Sequence, residues 1–89
     1  MQKIRILIYG NVHGVGFRYF IERSAKYLGL KGYVRNLQDC VEVIVEGPEK
    51  ELSKLIELCN QGPSSAKVTN IKVKKEEFKN EFSSFEILH

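Results

Sequence analysis

The chain has 89 residues, which is room for one domain and no more. A composition of 43% hydrophobic, 10% aromatic and 28% charged residues supplies a packed core and excludes an intrinsically disordered chain. Fourteen Lys and Arg against eleven Asp and Glu give a net charge of +3, a mild bias that favours an anionic partner without naming one.

Taken in chain order, Lys3 to Tyr9 alternates, with Ile4, Ile6 and Ile8 on one face and Arg5, Leu7 and Tyr9 on the other, and this predicts a first strand. From Arg18 or Tyr19 the period changes to three and four. Phe17, Phe20, Ile21, Ala25 and Leu28 then form the apolar stripe of a helix that stops at Gly29. Gly32 opens a second extended run, Tyr33 to Leu37. Gln38, Asp39 and Cys40 connect it to Val41, Val43 and Val45, which alternate with Glu42, Ile44 and Glu46, so the pair reads as an antiparallel hairpin. Pro48 is expected at the first helical position of a second helix. Glu49 and Glu51 fill its first turn, Leu52, Leu55, Ile56 and Cys59 form its stripe, and Gly62 and Pro63 stop it. Val68 to Val73 reads as a further strand, and Phe82, Phe85 and Ile87 suggest a short last one. The order βαββαβ predicts an α+β, ferredoxin-like split-βαβ sandwich, with an antiparallel sheet and both helices on one face. Such a fold hosts many functions, so function has to come from a site.

The stretch Gly10-Asn11-Val12-His13-Gly14-Val15-Gly16-Phe17-Arg18 joins the first strand to the first helix. Three glycines permit positive φ and turn backbone amides inward, and the helix start adds unpaired N–H groups with the positive end of the dipole. The product is an anion nest, to which Arg18 adds a planar fork suited to two oxygens of a phosphate or carboxylate. The competing reading is a turn that only reverses the chain, with Arg18 solvated at the surface. The loop lacks the Gly-Lys-Ser/Thr ending of a nucleoside triphosphate loop and the Gly-x-Gly-x-x-Gly of a dinucleotide site, so a smaller phosphorylated ligand fits better.

These residues resemble a known family. Gly10-x-Val12-x-Gly14-Val15-x-Phe17-Arg18 is similar to the first signature of the acylphosphatases, and Gly32-Tyr33-Val34-Arg35-Asn36 to the start of the second. The element order, Glu46-Gly47-Pro48 and Phe85-Glu86-Ile87 extend the resemblance over residues 1–89 as a single acylphosphatase-like domain. His13 stands where the first signature usually carries Gln. The resemblance implies hydrolysis of the carboxyl-phosphate bond of acyl phosphates to a carboxylate and inorganic phosphate, without metal or organic cofactor. Arg18 and Asn36 would be the catalytic residues, Arg18 as phosphoryl clamp and Asn36 holding the attacking water. The backbone of Val12, His13, Gly14, Val15, Gly16, Phe17 and Arg18 would bind the phosphoryl group, and inorganic phosphate would inhibit as product.

Other features have plainer readings. His13 as general acid competes with a solvent-facing loop histidine. Cys40, in a tight turn, would be reactive if exposed, whereas Cys59 falls on the core stripe of its helix. Two cysteines exclude a disulfide scaffold and a four-cysteine zinc site, so reduced thiols and a cytoplasmic location are expected. No apolar run is long enough for a membrane span and no leader pattern is present, so no membrane partner is expected. His89 lacks ligand-spaced companions, and no metal site is expected. Lys72, Lys74, Lys75 and Lys79 alternate with acids and read as a solvated edge. The alternative is a non-catalytic domain of the same fold that binds a small anion or RNA, or acts as a ligand sensor. RNA binding lacks its stacking platform, because the run Val41 to Glu46 carries no aromatic, so no nucleic-acid partner is expected. A monomer is expected.

Overall fold

The computed structural model describes all 89 residues. Its elements are β1 (Gln2–Asn11), α1 (Phe17–Tyr27), β2 (Lys31–Asn36), β3 (Val41–Gly47), α2 (Glu49–Gln61), β4 (Lys67–Glu76) and β5 (Phe85–Leu88). The five strands form one sheet in the order β4-β1-β3-β2-β5.

Register explains why alternation in the sequence becomes a single core. Ile4, Ile6 and Ile8 of β1 lie opposite Val45, Val43 and Val41 of β3, so six branched apolar side chains share one face of the two central strands. Against that face pack Phe17, Ile21 and Ala25 of α1 and Leu52, Leu55 and Cys59 of α2, all buried. These helical positions recur every three or four residues, the spacing that keeps side chains on one side of a helix. Burial also pushes the Cys59 thiol up to about 12, so Cys59 is a core residue without nucleophilic character.

Several expectations are adjusted. The sheet is mixed: β5 runs parallel to β2, while every other pairing is antiparallel. The reason is topological. Glu76 ends β4 beside Lys3, and Phe85 starts β5 beside Gly32, so both lie at the same end of the sheet. A chain that crosses there from one edge to the other must run back in the direction of β2. Pro48 occupies the N-cap rather than the first helical position, with φ −66° and ψ 146°, and the first helical residue is Glu49. Helix α1 begins at Phe17, slightly before the change of period suggests.

The alternation of β3 does not separate buried from exposed positions, because all of Val41–Gly47 is buried. The second face of β3 is covered as well, since Glu42, Ile44 and Glu46 are all buried. Glu42 accepts from Arg5 Nε and Arg35 Nε, each at 2.7 Å. Glu46 accepts three successive backbone N–H groups, from Lys79, Asn80 and Glu81, at 3.1, 3.1 and 3.2 Å. A buried carboxylate is tolerated when its oxygens are satisfied in this way. Glu46 thereby fastens the crossing segment that delivers β5 to its edge. Replacing Glu46 with Ala should destabilise the fold by about 2 kcal/mol, the scale of hydrogen bonds to a charged group. Urea unfolding should show a lower midpoint at unchanged slope, and a smaller loss for Glu46→Gln, which keeps one acceptor oxygen.

Candidate active site

The loop from Gly10 to Gly16 leaves the end of β1 through a register shift between Tyr9 and Gly10. Its glycines adopt the backbone that their lack of a side chain permits: φ is 130° at Gly10, 70° at Gly14 and 77° at Gly16. A Cβ at Gly14 or Gly16 would meet no atom within 4 Å, so backbone conformation rather than crowding selects glycine there. Val12 and Phe17, 2% and 1% exposed, bury their side chains in the core and pin both ends of the arc. Two polar ties hold the part between them. Ser65 Oγ donates to the Val15 carbonyl oxygen at 3.0 Å, and His13 Nε2 contacts the Cys40 carbonyl oxygen at 2.9 Å.

Held this way, the loop offers donors and takes few bonds. The backbone N–H groups of Val12, His13, Gly14, Val15 and Gly16 donate to no protein acceptor. Helix α1 adds the unpaired N–H groups of its first turn, has no capping side chain at Gly16, and carries no acidic residue in that turn. Helix α2 is the opposite case, with Glu49 and Glu51 answering its dipole. The positive end of α1 is therefore left for an external anion.

The residues singled out from the sequence come together around a cleft of about 90 Å³. Val12, Gly14, Gly16, Phe17 and Arg18 line one side, and Asn36, at the end of β2, lines the other. A cleft of that volume is small beside the roughly 300–1,000 Å³ of pockets for drug-sized ligands and suits a phosphoryl-sized group. Arg18 is the guanidinium of this cleft, since Arg5 and Arg35 are both committed to Glu42 on the far face of the sheet. His13 and Val15 do not line the cleft.

Three participants escaped the sequence reading. Tyr19 and His89 also border the cleft, and Arg18 Nη1 lies 3.4 Å from His89 Nδ1. His89 follows Leu88, which pairs with Arg35 in parallel register, so its ring arrives beside Asn36 through strand pairing alone. Ser65 reaches the loop from the α2–β4 connection across a separation of 50 residues. No local spacing signals either contact. Cys40 is corrected in the other direction: it is 5% exposed, and burial raises its thiol above the ordinary value. No group of three His, Cys, Asp or Glu side chains is arranged to hold a metal ion.

Comparison with known proteins decides the family. The acylphosphatase family model matches residues 4–87. The chain belongs to the acylphosphatase family. Acylphosphatase from Caldivirga maquilingensis is 45% identical over 87 residues, covering 96% of this chain and 92% of its own. Acylphosphatase from Archaeoglobus fulgidus is 44% identical over 90 residues, with full coverage of both chains. The crystal structure of acylphosphatase from Bacillus subtilis superimposes with a TM-score of 0.95 at 37% identity, again covering both chains fully. Membership makes the chain an enzyme, a hydrolase of acyl phosphates, on a ferredoxin-like α+β fold.

Neither cysteine is accessible in this acylphosphatase, so a thiol reagent at neutral pH should label none in the native protein and both after unfolding in urea. Rapid labelling of one thiol in the native state would contradict the burial of Cys40.

Proposed function

We propose that the enzyme hydrolyses acyl phosphates by holding the phosphoryl group on the amides of Val12 to Arg18 and the Arg18 guanidinium, with Asn36 positioning the attacking water. The observation that carries this reading is the convergence, on one phosphoryl-sized cleft, of a run of unpartnered loop amides, one guanidinium without a carboxylate partner and one side-chain amide.

Each group has a task that its chemistry suits. Charge builds on the equatorial oxygens as the phosphoryl group passes from carboxylate to water, and preorganised amides with a fixed guanidinium stabilise it there more than in the bound substrate. Asn36 has a carbonyl oxygen that accepts from water and an N–H that donates to a phosphoryl oxygen. It therefore holds the nucleophile without having to ionise. The P–O bond to the acyl group breaks as the bond to water oxygen forms, the electron pair leaves on the carboxylate, and a proton of the water passes to a non-bridging phosphoryl oxygen, so that the products are a carboxylate and dihydrogen phosphate. A carboxylate is a good leaving group, so positioning supplies most of the acceleration and no strong acid is required. The positive charge comes from protein groups, and turnover should proceed in the presence of a chelator. Two buried free thiols suit a reducing cytoplasm.

The non-catalytic RNA-binding alternative is weakened by the sheet face it would use. Tyr9 is covered by Lys72 Nζ at 5.5 Å, and Tyr33 is packed edge-on against Phe82 with ring centroids 5.9 Å apart.

Kinetics on benzoyl phosphate separate the roles. Arg18→Gln should abolish measurable turnover and weaken inhibition by inorganic phosphate. Asn36→Ala should lower kcat by about a hundredfold while the phosphate inhibition constant changes far less, the signature of an interaction made only on the way to the transition state. An Asn36→Ala enzyme that loses phosphate affinity and keeps kcat would overturn the assignment.

A further inference from the structure

We propose that His13 is a positioning residue, whose ring clasps the anion-binding loop to the hairpin that carries Asn36; the inference rests on the hydrolytic reading above. Its side chain does not line the cleft, so it acts through the backbone of its neighbours.

The hydrogen bond defines the proton. The Cys40 carbonyl oxygen can only accept, so Nε2 of His13 donates across the 2.9 Å contact. That proton is present in the neutral Nε2–H tautomer and in the imidazolium alike. The acceptor is a junction. The same Cys40 oxygen accepts the Leu37 N–H at 2.8 Å, the bond that closes the turn between β2 and β3. Leu37 follows Asn36 directly, and Asn36 pairs with Val41, the residue after Cys40. Displacing Cys40 from the loop therefore displaces the frame on which Asn36 stands.

A clasp matters because the sheet joins these two parts only through β3, where Val41 pairs with both Ile8 and Asn36. In the strand order β3 lies between β1 and β2, so the loop leaving β1 and the residue ending β2 stand about two strand spacings, or roughly 9.5 Å, apart. The other polar tie on the loop, from Ser65 to Val15, runs to the α2–β4 connection and not to the hairpin. His13 is thus the side chain that bonds the phosphoryl-binding half of the site to the water-positioning half.

The consequence falls on one kinetic constant. Val12, Phe17 and Ser65 still hold the loop when the clasp is lost, so the nest and Arg18 keep their affinity for phosphate. The distance between bound phosphorus and the Asn36 water becomes loose, and a misplacement of about 1 Å costs up to about a hundredfold in rate. A general-acid role requires something different: a proton delivered from His13 to the leaving carboxylate, which no amide side chain replaces.

The test compares wild type, His13→Ala and His13→Gln on benzoyl phosphate in chelator, with inorganic phosphate as inhibitor. For His13→Ala we expect kcat to fall about tenfold while KM and the phosphate inhibition constant stay within about threefold. His13→Gln, which offers an amide N–H at similar reach, should recover most of the loss with a pH profile parallel to wild type. An unchanged kcat in His13→Ala, a loss confined to phosphate affinity, or a His13→Gln enzyme as slow as His13→Ala would each overturn the proposal. The imidazole ¹⁵N spectrum of the unmodified protein gives a readout independent of turnover: a proton on Nε2, coupled across the bond to the Cys40 carbonyl carbon, supports the clasp. A His13 protonated only at Nδ1 overturns it even if the enzyme is active. An inactive wild type that still shows the coupling would sink the hydrolytic reading and leave the clasp standing.

Discussion

In the proposed mechanism everything depends on keeping a short run of backbone donors unpaired. The N–H groups of Val12 to Gly16 would gain free energy by bonding to any carbonyl within reach, and most loops of that length turn in on themselves to do so. Here they are prevented by how the chain is held. Val12 and Phe17 are anchored in the core, Gly14 and Gly16 take left-handed backbone, and two groups from distant segments hold the loop, the Ser65 hydroxyl on the carbonyl of Val15 and the Cys40 backbone carbonyl on the ring of His13. In the proposed mechanism an entering anion meets donors already held in place, which lowers the ordering cost of binding.

The opposite end of the sheet is built on the reverse rule. There the buried carboxylate of Glu46 satisfies three successive amides of the segment that crosses from β4 to β5. The crossing does more than close the chain. By starting β5 beside Gly32 it forces the strand to run parallel to β2, and that direction brings His89 to the cleft next to Asn36. The two ends are linked: the parallel edge strand, which looks like a detail of topology, puts an imidazole 3.4 Å from the guanidinium that clamps the substrate in the proposed mechanism.

Much of this was legible in the sequence because it follows from local periodicity. Ile4, Ile6 and Ile8 announce a half-buried strand, Phe17, Ile21 and Ala25 a helix face, and the glycines of the loop a backbone that only glycine adopts readily. Arg18 and Asn36 were singled out through the two signatures that contain them, and both line one cleft. What could not be read depends on contacts between residues far apart in the chain. Glu42 and Glu46 alternate with apolar residues and look solvent-facing, yet the central position of β3 and the segment laid over it bury both. Cys40 lies in a turn and looks exposed until the fold covers it. Ser65 and His89 carry no local signal at all. His13 was visible as a loop histidine, but its acceptor is a backbone carbonyl 27 residues away, and carbonyl positions leave no trace in a sequence.

The central claim is that the loop amides, in the arrangement described, are the binding site for the phosphoryl group. A titration of ¹⁵N-labelled protein with inorganic phosphate, followed residue by residue in amide chemical shifts, tests it most directly. The account predicts saturable shifts concentrated on the amides of Val12 to Tyr19 and on the Asn36 side chain, with the amides of Lys79 to Glu81 at the far end unmoved. Shifts centred on the Lys-rich edge of β4, or none at the loop at concentrations that inhibit turnover, would contradict it.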